Sequence, residues 1–562
     1  MTGLEQIRAL IAHPWSSAGA LGFRPDPAPW LAEARAPNGE ALYAVGDPDV
    51  LRRAGWPGGD YRARYWALRA DLGLAADLSR LVEALRPAKR EALAERRMKR
   101  RPLHLHLLLG WEDGSGAWVL DDRGEGTALA WATMLRYLAL DAQRRDGALL
   151  LIVSARAFRR WALLALTRLL GGQARRLTAL ACGREALTRG RAAAWEVLGE
   201  GWALLPAGDW PRLAMPGGVR AVRRRKEALD LSAPPWAAAL PAIEGCGAAA
   251  QAVLRCLAQR PLLDVRALAA FCDLGEEEAA GALEALRVAR LVEGEGGGWW
   301  ITAAAAEALA ARAGLGDLAR RHAFFLAHLR RAPGHTRAVH RFFARLKTDL
   351  AQRARATRPL ADGRAYYEWG TYESEMGAAH RYLRDGRMRL HRPDGYAALR
   401  VGERWVRFFL EMDGWLDERG RVGGRSMCSY PIWLEKLARR KDYRLSGWWA
   451  LRYPDFPMLL VVTTDARNLA LIQAGLAELG ETEGVRVALA EEVGRAGPSA
   501  QVWREVTARG AGARDYLCAG FAQPGLVQGA EARPDVLAAM ARAEALRVAS
   551  EAWAAGRRRR VR

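Results

Sequence analysis

Cysteine is scarce. The 562 residues hold six (Cys182, Cys246, Cys256, Cys272, Cys428 and Cys518), scattered and without a C-x-x-C pair, so neither a zinc site nor a disulfide framework is implied. A reducing, cytoplasmic setting is expected. Also missing is any apolar run that reaches the roughly 18 residues of a membrane span. The chain opens on acidic Glu5 rather than on a basic-then-apolar leader. An untargeted chain without a membrane partner is the expectation. Negative charge is the deficient sign: 63 Asp and Glu stand against 85 Lys and Arg, for a formal charge of +22. Such an excess points to a polyanionic partner, DNA first. An Arg- and Ala-rich composition also follows from a GC-rich genome, so the charge alone leaves both explanations open.

A chain this long exceeds one core and should hold about three or four domains. Residues 1–100 carry Pro and Gly breaks (Arg24-Pro25-Asp26-Pro27, Gly55 to Gly59) around helical pieces and end in the basic run Arg96 to Arg101; an irregular helical lead-in is expected. In 101–240, strands at Leu103 to Leu109, Ala117 to Leu120 and Ala148 to Val153 frame a helix from about Ala128 to Leu140. This is a β-α-β order with glycines where strand meets helix. The order distantly resembles the first lobe of superfamily-two helicases. The turn Gly124-Glu125-Gly126-Thr127 nevertheless lacks a Lys to pair with phosphate oxygens and adds Glu125, so ATP hydrolysis is not expected. A plain α/β domain and a degenerate P-loop-like lobe both remain open.

A composition shift between Val219 and Ala238, with Arg223-Arg224-Arg225-Lys226 and then Ala233-Pro234-Pro235, marks a linker and a boundary near 240. Over 241–315, Val253, Leu254 and Leu257, then Val265, Leu268 and Ala269, then Leu283, Leu286 and Leu291 predict three helices. Gly294 to Gly298 make a tight tip before Trp299-Trp300-Ile301, the pattern of a winged helix-turn-helix. Its third helix begins Glu276-Glu277-Glu278, acids that suit the helix dipole and repel phosphates. Arg287 and Arg290 are the DNA-binding candidates there, and docking to protein is the alternative role.

The segment 316–500 is organised around Arg389 to Asp413. Period-two alternation places Val406, Phe408, Leu410 and Met412 on one face of a strand and Arg407, Phe409, Glu411 and Asp413 on the other. Asp394 opens the preceding strand, so Asp394, Glu411 and Asp413 are candidate ligands of a hard divalent cation, Mg²⁺ or Mn²⁺. Carboxylates gathered in this way repel one another, which should raise at least one pKa and destabilise the metal-free domain. Pro393-Asp394 followed by Glu411-x-Asp413 resembles the PD-(D/E)xK core of restriction-endonuclease-like enzymes, with Asp413 where the Lys would stand. His335, His340 and Phe343, then Trp369, Glu373, R-P-D-G, F-F-L-E-M-D, Y-P-I-W-L-E-K-L and F-P-M-L-L-V-V-T-T follow in an order similar to the replication-relaxation proteins of bacterial plasmids and mobile elements. That resemblance covers roughly residues 245 to 510. It implies a winged helix ahead of a nuclease-like domain, and replication or transfer proteins of a mobile element as partners.

In some members of the nuclease fold the Lys has moved to the next helix, which makes Lys436 the replacement candidate; a surface Lys with a buried stem is the alternative. His335 and His340, five apart, are expected to be packed or surface histidines rather than ligands, and Glu368 or Glu373 is a further candidate carboxylate. A strand Met458 to Thr463, a helix Arg467 to Leu479 and a strand Val485 to Leu489 complete the domain. Residues 501–562 are expected to be helical with a basic tail, Arg557, Arg558, Arg559 and Arg560, able to contact phosphates. The expected protein is thus a multidomain α/β DNA binder with a nuclease-like site. Its alternatives are a catalytically inactive architectural or regulatory DNA binder and a protein assembly adaptor.

Overall fold

The computed structural model describes residues 3–36, 39–54, 61, 65–66, 68–69, 71–85, 89–92, 96–98, 101–103, 107–122, 138, 148–154, 160, 163–164, 167, 177–183, 194–198, 202–206, 213 and 234–517, the last stretch less 313–317, 385–386, 417–421, 425, 427–428, 454 and 482–484. The chain is mixed α/β with several sheets and divides into two compact units, the first built on Met1–Leu240 and the second beginning at Pro241. Among the described residues no helix is long and apolar enough to cross a membrane.

The first hundred residues carry helical pieces, Gly3–Ala12, Ala18–Leu21, Pro48–Arg53 and Leu72–Leu85, and beside them a sheet that was not expected. Ser16–Ser17, Leu31–Arg35 and Ala41–Val45 form an antiparallel sheet with Ala41–Val45 in the middle. The central strand buries Tyr43 and Val45 against Leu10, Ile11, Leu51 and Tyr61, and the Tyr61 hydroxyl both donates to the Val45 carbonyl and accepts from its N–H. Two short side strands between Pro and Gly breaks carry too few residues for alternation to register, which is why the sequence reading passed them over.

A seven-stranded sheet follows, in the order Trp202–Pro206, Ala194–Leu198, Leu177–Cys182, Ala148–Ser154, Gly116–Asp122, Leu107–Gly110, Lys89–Ala92. Ala148–Ser154 runs parallel to both neighbours and is apolar from Leu149 to Val153, as a strand covered on both faces must be. The Gly124 to Thr127 turn, the helix expected at 128–140 apart from Leu138, the Arg223 to Lys226 run and the tail Arg557 to Arg562 lie outside the described residues.

Elements of the second unit are named here. Three helices, α1 (Ala248–Gln259), α2 (Val265–Cys272) and α3 (Glu276–Val288), precede a hairpin of β1 (Val292–Glu295) and β2 (Gly298–Ile301). Asp264 caps α2 by accepting the Ala267 N–H. The hairpin tip needs left-handed backbone at Gly296 (φ 56°) and Gly297 (φ 82°), which is why glycine stands there. Helix α4 (Leu318–Leu329) leads to α5 (Pro333–Ala356), whose Pro lies in the first turn where its missing N–H costs nothing.

Strand β3 (Tyr367–Ser374), the single-turn α6 (Glu375–Ala378), the hairpin β4 (His380–Arg384) with β5 (Arg387–His391), β6 (Gly395–Val401) and β7 (Arg404–Asp413) come next. They are followed by α7 (Tyr430–Ser446), β8 (Met458–Thr463), α8 (Arg467–Leu479), β9 (Val485–Leu489), α9 (Ala490–Ala496), β10 (Trp503–Thr507) and β11 (Gly510–Asp515). Seven strands make one sheet, ordered β3-β6-β7-β8-β9-β10-β11, with β7, β8 and β9 parallel and the flanking pairs antiparallel. The β10–β11 pair corrects the helical reading of the chain after 501 as far as residue 517.

The alternation in β7 is as expected, but its second face is covered too. Val406, Phe408, Leu410 and Met412 pack under Val339, Phe342, Phe343 and Leu346 of α5. On the other face Phe409 lies against Tyr443 of α7, Tyr453 and Phe456. Burying one Phe or Leu in this way is worth about 1.5–3 kcal/mol, so β7 is firmly anchored on both faces and a rigid base for the acids at its C-terminal end.

α2 packs on the core of the sheet through Phe271, and the residue that follows α1 is bonded to it. Arg260 donates from Nε to the Tyr372 carbonyl (3.1 Å), and Phe271 stacks on the Tyr372 ring. From α5, Arg341 pairs with Asp264 (3.0 Å) and Lys347 with Asp273 (2.7 Å).

Candidate functional site

The acids meet at the sheet rim where β7 ends and β6 begins. Asp394 is threaded into the ladder: its N–H donates to the Leu410 carbonyl (3.0 Å), and its Oδ2 accepts the Met412 N–H (2.7 Å). Oδ1 then points to Nε2 of His335, 3.1 Å away, in the first turn of α5. Glu411, on the face of β7 turned toward α7, accepts from Lys436 Nζ at 2.7 Å. Lys436 lies on the second turn of α7 with Nζ 5.3 Å from the Trp433 ring, and Trp433 is held by an Nε1 bond to Asn468 Oδ1 (2.9 Å). The replacement position considered for the missing Lys is therefore beside the Glu of the motif.

A third carboxylate joins them. Glu375, first residue of α6, receives Arg392 Nε (3.0 Å) and His328 Nε2 (3.3 Å) on Oε1. It is electrostatically coupled to Asp394, Glu411 and His335. Sequence reasoning missed it. Of the two carboxylates considered instead, Glu368 pairs with Arg400 and Glu373 with Arg452, and neither reaches the site. The strand ends at Ser374, so its next residue turns in with the helix start, and this boundary was the signal available.

The field of the cluster is uneven. Burial pushes the Glu375 carboxyl up, the Asp394 charge adds to it, and the result is about 7 in spite of Arg392 and His335. Burial likewise raises Glu411, opposed by Lys436 and reinforced by Asp394. For Asp394 burial also acts upward, but the charge and hydrogen bond of His335, Lys436 and the Met412 N–H outweigh it and hold the carboxyl below its ordinary value. His335 is the complement: burial disfavours its cation, and Asp394, Glu375 and Glu411 more than restore it. Burial thus accounts for most of the rise in Glu375 and Glu411 and the Asp394 charge adds to it, while Asp394 stays ionised with its charge balanced by His335 and Lys436.

Asp413 departs from its expected role. Its Oδ2 accepts from Ser426 Oγ (2.6 Å), Asn468 Nδ2 (2.7 Å) and Thr463 Oγ1 (3.2 Å), a buried network that ties β7 to β8 and α8. Among the described residues no three His, Cys, Asp or Glu side chains form a metal-binding group, so Asp394, Glu411 and Asp413 do not make a preformed ligand triad. The physical reason lies in the neighbours: parallel β8 brings Thr463 opposite Asp413, and three donors consume the charge locally.

The two histidines take different parts. His340 is buried and neutral, Nε2 on the Pro261 carbonyl (3.0 Å) and Nδ1 on the Tyr372 hydroxyl (2.6 Å), with burial pulling it down to about 4. That agrees with a packed histidine. His335, given the same reading, is instead the partner of Asp394.

Arg287 and Arg290 are both exposed, but Arg287 is engaged by Glu284 on its own helix (2.7 Å) and Arg290 lies beyond the helix at φ 56°. Glu276 in the first turn of α3 faces Arg266 at 3.4 Å. Arg557, Arg558, Arg559 and Arg560 lie outside the described residues. Comparison with family models, characterised proteins and solved structures finds no match to the chain.

Proposed function

We propose that the second unit is a nuclease-like DNA-binding module, a winged helix-turn-helix joined to a restriction-endonuclease-like sheet, acting in plasmid or mobile-element replication or DNA relaxation. The observation that carries this reading is the convergence of Asp394, Glu411 and Lys436, with Glu375, at one rim of a mixed sheet. Residue types and placement suit phosphodiester chemistry. Hard carboxylate oxygens fit Mg²⁺ or Mn²⁺, and Mg²⁺ commonly uses one or two carboxylates with water and phosphate for the rest, so Asp394 and Glu411 are a sufficient protein set. Bound there, the cation would acidify a water and offset phosphate charge. Lys436 supplies a fixed positive charge beside Glu411, and His335 positions Asp394.

A second reading keeps the DNA binding and drops the cleavage. It is favoured by the protein cations already on each acid: His335 on Asp394, Lys436 on Glu411, Arg392 on Glu375. Supercoiled plasmid incubated with the full chain and Mg²⁺ or Mn²⁺ separates the two. The nuclease reading expects nicked product, lost in Asp394→Asn and Lys436→Ala, and intact plasmid at every metal concentration would sink it. Duplex affinity that falls steeply with salt supports DNA binding under either reading; no measurable affinity at low salt leaves an assembly adaptor, the reading that suits the acidic first turn of α3.

A further inference from the structure

Between α6 and β6 the chain makes the hairpin of β4 and β5, a ribbon that pairs with no other strand among the described residues. From His380 to Arg392 it carries five arginines against one acid, Asp385. Its two faces differ, because side chains alternate along a strand. Inward go His380, Tyr382 and His391. The His391 ring stacks on Tyr443 of α7 (4.5 Å between centroids) and meets Phe409 of β7 (4.7 Å), and His380 Nδ1 is bonded to the Tyr443 hydroxyl. Outward go Arg381 and, opposite it, Leu390, both exposed, with exposed Arg392 just beyond the strand. Arg392 ties the base of the ribbon to the acids, its Nε donating to Glu375 at 3.0 Å. Burial, and then the charges of Arg392 and Arg331, hold the His328 imidazole below its ordinary value, so Arg331, in the turn before α5, lies at the same rim. Arg381 and Arg331 are exposed and pair with no acid among the described residues. We propose that Arg381 and Arg392, with Arg331, form a phosphate track that lays duplex DNA across the acidic rim. The assignment rests on the DNA-binding reading above and places the contact on the ribbon rather than on α3.

Charge and side-chain type together select the occupant. Guanidinium groups match phosphate oxygens and fix a duplex in place without reading its sequence. Binders of unpaired strands add aromatic platforms on which bases stack; here the aromatic side chains of the ribbon are turned inward and buried. The inner packing, together with the pairing of Arg389 with Asp442 of α7, holds the ribbon as a firm support. The winged helix offers the backbone less. α3 opens on Glu276, Glu277 and Glu278, and Arg287 is engaged by Glu284. The wing is pinned down: Arg337 donates from Nη1 to the Gly296 carbonyl, and Arg330 reaches Glu295 (2.5 Å) with its guanidinium 4.9 Å from the Trp300 ring. Glu293 and Glu295, both exposed, add negative charge there. Acids on the helix and on the wing repel phosphates, whereas the ribbon and the turn before α5 attract them.

The test is fluorescence anisotropy of the full chain with a labelled duplex in EDTA, over a salt series. Arg331→Ala combined with Arg381→Ala removes the two cations that hold no acid and leaves Arg392 on Glu375. Each phosphate contact contributes about 0.9 to the slope of log affinity against log salt, so the slope should become shallower by about 2 and the affinity at ~0.1 M salt should fall at least about tenfold. Arg331→Lys with Arg381→Lys keeps both charges and should retain most of the binding; Arg287→Ala with Arg290→Ala should retain all of it. Four results would overturn the assignment while leaving DNA binding in place: an alanine pair that binds like wild type, a lysine pair as weak as the alanine pair, a loss concentrated in the α3 pair, or a single strand of the same length bound more tightly than the duplex. A wild type without duplex affinity at low salt would overturn both the assignment and the reading on which it rests.

Discussion

Replacing Glu375 by Gln should stabilise the metal-free protein at alkaline pH and do far less at pH 5. The Glu375 side chain is 10 % exposed and its carboxyl is displaced from 4.5 to about 7, first by burial and then by Asp394. A displacement of that size, at about 1.4 kcal/mol per pH unit, makes the ionised carboxylate cost ~3 kcal/mol. The sign follows from which state holds the proton. Between pH 4.5 and 7 the folded protein keeps a proton that the unfolded chain has lost, so stability falls as pH rises through that window. The amide introduced by Glu375→Gln has no charge to bury and keeps an oxygen for Arg392 and His328. Both partners are partly exposed, so the lost charge assistance is worth less than about 1 kcal/mol. A net gain of ~2 kcal/mol above pH 8 is expected. Native-state hydrogen exchange of the full chain in EDTA, followed on peptides from β6 and β7 between pH 5 and 9, reads that local opening energy without requiring the two units to unfold together. The raised His335 moves stability in the same direction; Asp394 is its main support and stays in both proteins, so the variant loses only the smaller part that Glu375 contributes. Parallel curves for wild type and Glu375→Gln, or a variant less stable at pH 8.5, would refute the reasoning.

Under the nuclease reading, Lys436→Met should lower plasmid nicking by about 10²-fold while leaving duplex affinity within a factor of a few, because a fixed cation at the scissile phosphate would act in the transition state; an equal loss in binding and cleavage would contradict that role. Asn468→Ala removes a donor from Asp413 and the acceptor of the buried Trp433 Nε1. It should cost on the order of 2 kcal/mol in opening of β7, and unchanged exchange there would mean the network is not structural. Gly395→Ala places a Cβ 2.6 Å from Phe343 Cε2 and 3.2 Å from Tyr372 Cε2. Overpacking of that kind typically costs about 1–3 kcal/mol, so a thermal shift within error of wild type would argue that α5 is less tightly seated than the core implies.

Local chemistry and periodicity were enough to place the backbone elements around the site. Alternation in Val406 to Asp413, the apolar run at Met458 to Thr463 and the 3.6-residue pattern of Arg467 to Leu479 are properties of neighbours in the chain, and the structure has those elements where the residues put them. The same logic located Asp394 and Glu411, whereas Lys436 was a candidate only through the resemblance to the nuclease fold. Pairings between distant segments were beyond it. His335 meets Asp394 because α5 lies across the sheet and its first turn reaches the rim. Glu375 enters, and Glu368 and Glu373 do not, because β3 stops at Ser374 and gives the next side chain a helical rather than an extended direction. Asp413 was rightly placed on the face of Glu411, yet its function was decided by Thr463, Ser426 and Asn468, which surround it only once β8 and α8 have packed. Period two tells which residues share a face; the charge a carboxylate keeps depends on the donors that tertiary packing brings within about 3 Å of it.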